Sequence, residues 1–217
     1  MAFDKVAFQA ALIHELKNHL GLLGMTLERL PPTGDPTHDT PLDDARMLCQ
    51  SVSDRLRQAL WLYRADQGSL VPNIDAYSPH DLLHALAARA QSLARDRFSV
   101  SVELAEGLPA VAFFDRELIE MALMNAVQNS LAYARANIVI RGSSCDGWLE
   151  LSVCDDSEGY PDDIIDCVAS GSPYRAQGTG LGLQFSRLIA QLHENRGCCG
   201  QLVLENRNGS VFLLRLP

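Results

Sequence analysis

Gly178-Thr179-Gly180-Leu181-Gly182-Leu183 opens an apolar stretch that runs on to His193. Three alternating glycines at the start of a helix are poor choices for packing a core. They are good choices for exposing backbone N–H groups to anionic oxygens, because the first amides of a helix are unpaired and its dipole favours negative charge. The spacing predicts a loop over 178–182, with Thr179 and Leu181 in it, whose backbone cradles phosphates; a plain structural turn would not need all three glycines. Upstream and downstream, Phe98–Leu104, Asn137–Arg141, Trp148–Val153 and Ser210–Leu216 alternate apolar and polar residues, the pattern of strands with one buried face. Helical periodicity lies between them, at roughly 79–95, 115–134 and 180–194. Strands mixed with helices, the last strands adjacent, predict an α+β sandwich over 69–217.

The first 68 residues have a different texture. Ile13, Leu16, Leu20, Leu23, Leu27 and Leu30 recur in steps of three and four, a heptad seam. Pro31-Pro32-Thr33-Gly34-Asp35-Pro36 stops that helix, since proline lacks an amide donor and clashes with the preceding turn. A second seam follows at Leu42, Ala45, Cys49, Val52, Leu56, Ala59 and Tyr63. Two such helices joined by a polar loop predict an α-helical hairpin over residues 1–68. One hairpin covers too little of its own apolar surface, so a homodimer closing a four-helix bundle is the physical expectation.

Composition narrows the class. The chain has 217 residues, 47% of them apolar and 21% charged, with a formal net charge of −9. That charge argues against nucleic acid as a partner, because a phosphate backbone needs a basic face. No apolar run is long enough to span a membrane, and the N-terminus has no signal-peptide pattern, so the expected location is cytoplasmic. Six cysteines without a CxxC pair read as small apolar residues in a reducing compartment. For the vicinal Cys198-Cys199 pair a redox or metal handle is the alternative, and the apolar reading is preferred there too.

Six further residues carry chemistry by type and spacing. Asn125 and Asn129 stand one helical turn apart, both amides on one face. A neutral amide oxygen suits Mg²⁺ that is held mainly by phosphates and water, a role for Asn129; surface or capping asparagines are the plain alternative. Asp155 closes a strand and precedes Ser157, Gly159 and Pro161, where a carboxylate can accept from the exocyclic amine of a base, or simply shape a turn. His14 flanks the first seam. Glu15 beside it can hold the imidazole proton while the other ring nitrogen attacks, and Asn18, one turn on, can orient a water. An imidazole acceptor and a phosphate-cradling loop on one chain point to an enzyme that phosphorylates itself.

Taken together these segments resemble the transmitter core of bacterial two-component sensor histidine kinases, over nearly the whole chain. His14-Glu-Leu-Lys-Asn18 is similar to the phosphoacceptor box, and Asn125-Ala-Val-Gln-Asn129 to the asparagine box. Val153-Cys-Asp155-Asp-Ser157-Glu-Gly159-Tyr-Pro161 resembles the first glycine box, and Gly178–Leu183 the second. Ile189–His193 and Phe212–Pro217 resemble the family's last helix and strand. The resemblance implies ATP and Mg²⁺ as cofactors, an ATP-binding fold of the histidine-kinase/GHKL ATPase type, and autophosphorylation of His14. It further implies transfer to an aspartate on a separate response-regulator receiver domain. With 13 residues before His14, input is expected from a separate sensor protein, a ligand of the core, or abundance.

Departures from the family pattern stand at four places. His19 replaces a common proline, Ala132 a common lysine near the phosphates, and Ser157 the first glycine of its box. The segment from Pro161 to Gly178 is short and lacks the usual phenylalanine pair; Arg175 is the candidate cation there. Two alternatives therefore stay open: a histidine phosphotransferase that binds no ATP, and a catalytically degenerate regulator acting by protein binding.

Overall fold

The computed structural model describes residues 5–31, 33–68, 70–94, 97–172 and 181–217; for 5–14, 17 and 36 it describes the backbone alone. The chain divides into two compact units, Met1–Leu70 and Val71–Pro217.

The first unit is a hairpin of α1 (Lys5–Glu28) and α2 (Pro36–Asp66). The connection is tied by side chains. Asp35 caps α2 by accepting from the Thr37 amide at 2.9 Å, and Pro36 sits at the first helical position, where its missing amide costs nothing. Asp39 accepts from the amides of Thr33 and Gly34, each at 2.8 Å. Arg46 reaches across from α2 and donates to the Leu27 and Leu30 carbonyls at 2.7–3.0 Å, satisfying acceptors that the end of α1 leaves open.

The two seams pack unequally. Leu20 and Leu27 are partly covered, whereas Leu16, Leu23 and Leu30, seven residues apart, stay 43–49% exposed. On α2 the Cys49 thiol donates to the Leu20 carbonyl at 3.3 Å, while the expected seam residue Val52 is 38% exposed. Buried with Cys49 are two polar residues that the heptad reading left outside the seam, Asp54 and Gln58. Asp54 is paired with Arg57 and accepts from Gln50 at 3.0 Å, which lets a carboxylate sit in a half-covered groove.

The second unit is an α+β sandwich. Its elements are β1 (Asp75–Tyr77), α3 (Pro79–Ala94), β2 (Ser99–Leu104), β3 (Ala112–Phe114), α4 (Arg116–Tyr133), β4 (Asn137–Cys145) and β5 (Trp148–Asp155). After them come α5 (Asp162–Ser170), α6 (Leu181–Leu192), β6 (Glu194–Asn195), β7 (Cys198–Cys199), β8 (Gln201–Asn206) and β9 (Ser210–Leu216). Five strands form a mixed sheet in the order β2-β4-β5-β9-β8, parallel only between β2 and β4. β1 pairs with β3 and β6 with β7 as separate ribbons.

Helices α3, α4 and α6 cover one face of that sheet. Leu82, Leu83, Leu118, Ile119, Leu123, Phe185 and Ile189 meet Ile138, Ile140, Leu151, Phe212 and Leu214, all nearly inaccessible. Each such side chain contributes roughly 1.5–3 kcal/mol by leaving water. The opposite face carries exposed ion pairs such as Arg141–Glu103 at 2.6 Å, each worth at most about 1 kcal/mol. Stability therefore rests on the covered face, and so do the residues that matter below.

Three features differ from expectation. Helix α5 occupies the segment after Pro161, where no helix was predicted; its first turn holds Asp162 and Asp163, and Gly171 ends it in the left-handed conformation. Strand β8 was missed, although Asn208-Gly209 between two apolar runs is a strong hairpin signal. Cys145, Cys198 and Cys199 are exposed, so only some of the six cysteines behave as small core residues. Among the described residues no helix is long and apolar enough to cross a membrane.

Candidate functional site

Asp155 ends β5 on the helix-covered face, because Leu151 and Val153, four and two residues before it on the same strand, alternate with outward-facing Ser152 and Cys154. Its carboxylate receives four hydrogen bonds. Oδ1 accepts from the Ser157 amide at 3.0 Å and the Ser210 amide at 3.3 Å. Oδ2 accepts from the Ser130 hydroxyl at 2.7 Å and the Ser210 hydroxyl at 2.8 Å. Partial burial pulls this carboxyl's pKa upward, but hydrogen bonds from Ser157, Ser130 and Ser210 outweigh it and hold the pKa below the usual carboxylate range. Asp155 is thus an ionised acceptor at neutral pH.

The turn after it is built for close approach. The Gly159 amide donates to the Ser157 hydroxyl at 3.1 Å. Asn206 brackets the next residue, accepting from the Tyr160 amide at 2.8 Å and donating to its carbonyl at 2.9 Å. Gly159 has φ +93°, and a Cβ there would stand 2.4 Å from the Asn206 amide oxygen, so the turn itself demands this glycine. Gly209 is still more constrained: at φ +142° a Cβ would lie 1.8 Å from the Asp155 carbonyl oxygen. Neighbouring Asp156 has a purely structural job. It accepts from the amides of Arg135, Ala136 and Asn137 and from the Asn137 side chain. Burial opposes its ionisation, but these donors hold its pKa down at about 2.

Helix α4 joins this carboxylate to the start of α6. Ser130, near its end, bonds Asp155; Asn125, buried, donates to the Gly182 carbonyl at 3.4 Å. Asn129, one residue before Ser130, is exposed, with its neutral amide free to face solvent-borne ligands. Gly182 meets Asn125 at ordinary contact distance, so no steric conflict dictates glycine there. The Asn–Asn pair therefore splits: Asn125 braces α4 against α6 and Asn129 points outward. Leu181 begins α6. Arg175, Gly178, Thr179 and Gly180 lie outside the described residues.

In the first unit His14 lies within α1, its side chain outside the described residues, while Glu15 and Asn18 on the same helix are exposed. Among the described residues no group of three or more His, Cys, Asp and Glu side chains is arranged to hold a metal ion.

Residues that sequence reasoning passed over complete the frame. Ser130 and Ser210 became visible only through the fold. His193 is 4% exposed: its Nε2 accepts from the Asp115 amide at 2.9 Å, so the proton sits on Nδ1 and is donated to the Ile189 carbonyl at 2.7 Å. Asp115 in turn caps α4 through the Leu118 amide at 3.0 Å and accepts from the Asn73 amide at 2.7 Å. Burial lowers the pKa of His193 against the opposing pull of the Ile189 carbonyl and Asp115. The unfolded imidazole titrates near 6.5, so the stability that neutral His193 contributes is complete above that pH and is lost as pH falls below it. Denaturation midpoints of the full chain should drop as pH falls below about 6.5. His193→Gln, uncharged throughout, should start lower and show a flatter profile over that window.

A concavity of about 630 Å³ opens on the uncovered face of the sheet, between Arg141, Glu150, Glu205 and Arg215. It holds none of the residues singled out for chemistry.

Comparison with known proteins places this geometry. Residues 114–217 match the family described as histidine kinase-, DNA gyrase B- and HSP90-like ATPase. The chain is 32% identical over 113 residues to histidine protein kinase DivJ of Caulobacter vibrioides, a match covering 48% of this chain and 18% of that one. Sensor-type histidine kinase PrrB of Mycobacterium tuberculosis is 28% identical over 221 residues, 97% of this chain and 47% of PrrB. The chain thus spans from about a fifth to about half of these curated relatives. Among solved structures, full-length ShkA in complex with AMPPNP aligns with a TM-score of 0.71 at 20% identity, covering 96% of this chain and 45% of that one.

Proposed function

We propose that this chain, built as the transmitter core of a two-component sensor histidine kinase, binds ATP on the covered face of its second unit and phosphorylates its own His14. The observation that carries the reading is the ionised Asp155 carboxylate, fixed at a strand end by α4, the same helix that braces the start of α6. A carboxylate accepts an adenine amino group and repels the guanine carbonyl oxygen, so Asp155 reads the base. The backbone of 178–182 holds the phosphates, with Arg175 as a cation beside them. Bound Mg²⁺ would neutralise charge on the transferred phosphoryl, and the exposed Asn129 amide is the side chain suited to it.

His14, neutral, attacks the γ-phosphorus through one ring nitrogen. A P–N bond forms, the P–O bond to the leaving ADP breaks, and Glu15 takes the imidazole proton. A receiver-domain aspartate on a separate response regulator then accepts the phosphoryl. Positioning and charge neutralisation supply most of the acceleration. The exposed Leu16, Leu23 and Leu30 support a homodimer, since a second hairpin covers them. The net charge and the want of a membrane-crossing helix among the described residues support a cytoplasmic setting with no nucleic-acid partner. A separate sensor protein is the proposed source of input.

Ala132 keeps the degenerate-regulator reading as the second one. Ser157 weighs against it, because its hydroxyl is built into the turn rather than crowding it. Calorimetry separates the two. The full chain should bind ADP, and Asp155→Asn should weaken that binding by roughly 10- to 150-fold, the loss of a charge-assisted hydrogen bond. A wild-type chain that binds neither ATP nor ADP at millimolar concentration leaves only the regulator or the phosphotransferase.

A further inference from the structure

Asp155 reads a base only by exchanging one of its present partners, because all four acceptor positions of its carboxylate are engaged. Two carboxylate oxygens offer about four lone-pair positions. Two are taken by the amides of Ser157 and Ser210 and two by the hydroxyls of Ser130 and Ser210; the Ser157 hydroxyl, a further donor beside this carboxylate, is tied into the turn by the Gly159 amide. An arriving amino group must displace one of these donors.

The two amides belong to strand and turn backbone and cannot leave without unpicking β9 or the turn. Ser210 contributes both its amide and its hydroxyl from one residue at the start of β9, so its side chain is held beside the carboxylate by its own backbone bond. Ser130 is placed differently. It sits in the last turn of α4, 3% exposed, and a helical serine has a second acceptor always at hand, the carbonyl four residues earlier. For Ser130 that is the carbonyl of Ala126, which has a spare lone pair beyond its helical hydrogen bond. One rotation about the Cα–Cβ bond carries the hydroxyl from Asp155 to Ala126 with no backbone movement and no donor left unsatisfied.

We infer that Ser130 is a specificity-determining residue that occupies the base-reading position of Asp155 until an adenine amino group displaces it onto the Ala126 carbonyl. The inference rests on the nucleotide reading of this site and adds to it how the base gains entry. The exchange is balanced: one donor leaves Oδ2 and one arrives, and every hydroxyl proton keeps an acceptor. Bases without a suitably placed amino group gain nothing from the swap, so Ser130 sharpens selection as well as holding the carboxylate ready.

The test compares two ligands on the full-length chain by calorimetry: ADP, and purine riboside 5′-diphosphate, which lacks the 6-amino group. Ser130→Ala removes the competing donor and should tighten ADP binding by roughly 3- to 10-fold, the weight of one exchanged hydrogen bond. The same substitution should leave the purine riboside diphosphate within about twofold of wild type, because that ligand never needed Asp155 released. Ser130→Thr keeps the hydroxyl and should behave as wild type with both. Equal changes for the two ligands, or ADP binding unchanged or weakened in Ser130→Ala, would overturn the inference. If wild type binds ADP and Asp155→Asn weakens it, such a result sinks the role of Ser130 alone; if wild type binds no ADP at all, both fall together.

Discussion

Incubated with labelled ATP and Mg²⁺, the full chain should acquire a phosphoryl group that survives base and is lost in acid, and His14→Gln should carry none. A phosphoramidate P–N bond is cleaved once its nitrogen is protonated, whereas phosphoserine and phosphothreonine esters show the opposite sensitivity. Glutamine matches the size of the imidazole and suits a helix, so α1 should persist. It offers no nucleophilic ring nitrogen, and the expected loss is complete rather than partial. ADP affinity should stay within about twofold, because the residues argued to hold the nucleotide all lie in the second unit and His14 in the first. Label remaining on the variant would place the acceptor elsewhere and remove the central proposal.

The second large effect concerns assembly. Leu16, Leu23 and Leu30 form a stripe one heptad apart, 43–49% exposed on the single chain, while Leu20 and Leu27 are already partly covered. Substituting Leu23→Asp together with Leu30→Asp attacks the stripe and spares the contacts inside the hairpin. In a two-fold dimer each change counts twice, so four apolar contacts are lost and four unpaired carboxylates enter the interface. At about 2 kcal/mol for each lost leucine the cost is about 8 kcal/mol, more than five orders of magnitude in dissociation constant. The burial of charge adds to it. Light scattering at micromolar concentration should report a dimer for wild type and a monomer for the double variant. The variant's second unit should keep its circular dichroism and its ADP binding. A monomeric wild type would end the bundle proposal.

Much of this molecule follows from local chemistry. The heptads of the first 68 residues, the strand alternations at Phe98–Leu104, Trp148–Val153 and Ser210–Leu216, and the glycines before α6 each express a period or a backbone freedom that a short window contains. Those windows sufficed for an α-helical hairpin followed by an α+β sandwich, and for singling out Asp155 and Asn129. Even the missed hairpin of β8 and β9 was present locally, in Asn208-Gly209.

Other features could not be local. Nothing near Asp54 and Gln58 says that they, rather than Val52, are buried; the packing of the folded chain decides that. The donors around Asp155 come from Ser130, 25 residues before it, and Ser210, 55 residues after. The antiparallel pairing of β5 with β9 and the seating of α4 on the sheet bring them together. His193 meets the Asp115 amide across 78 residues for the same reason. The amino-acid order by itself determined most of the helices and strands and singled out residues whose chemistry suits phosphoryl transfer, because those are properties of spacing and residue type. Only the tertiary structure decided that Asp155 is ionised and fully occupied, with Ser130 as the donor able to yield, because a carboxylate's charge and its free lone pairs depend on what the fold places within 3 Å of it.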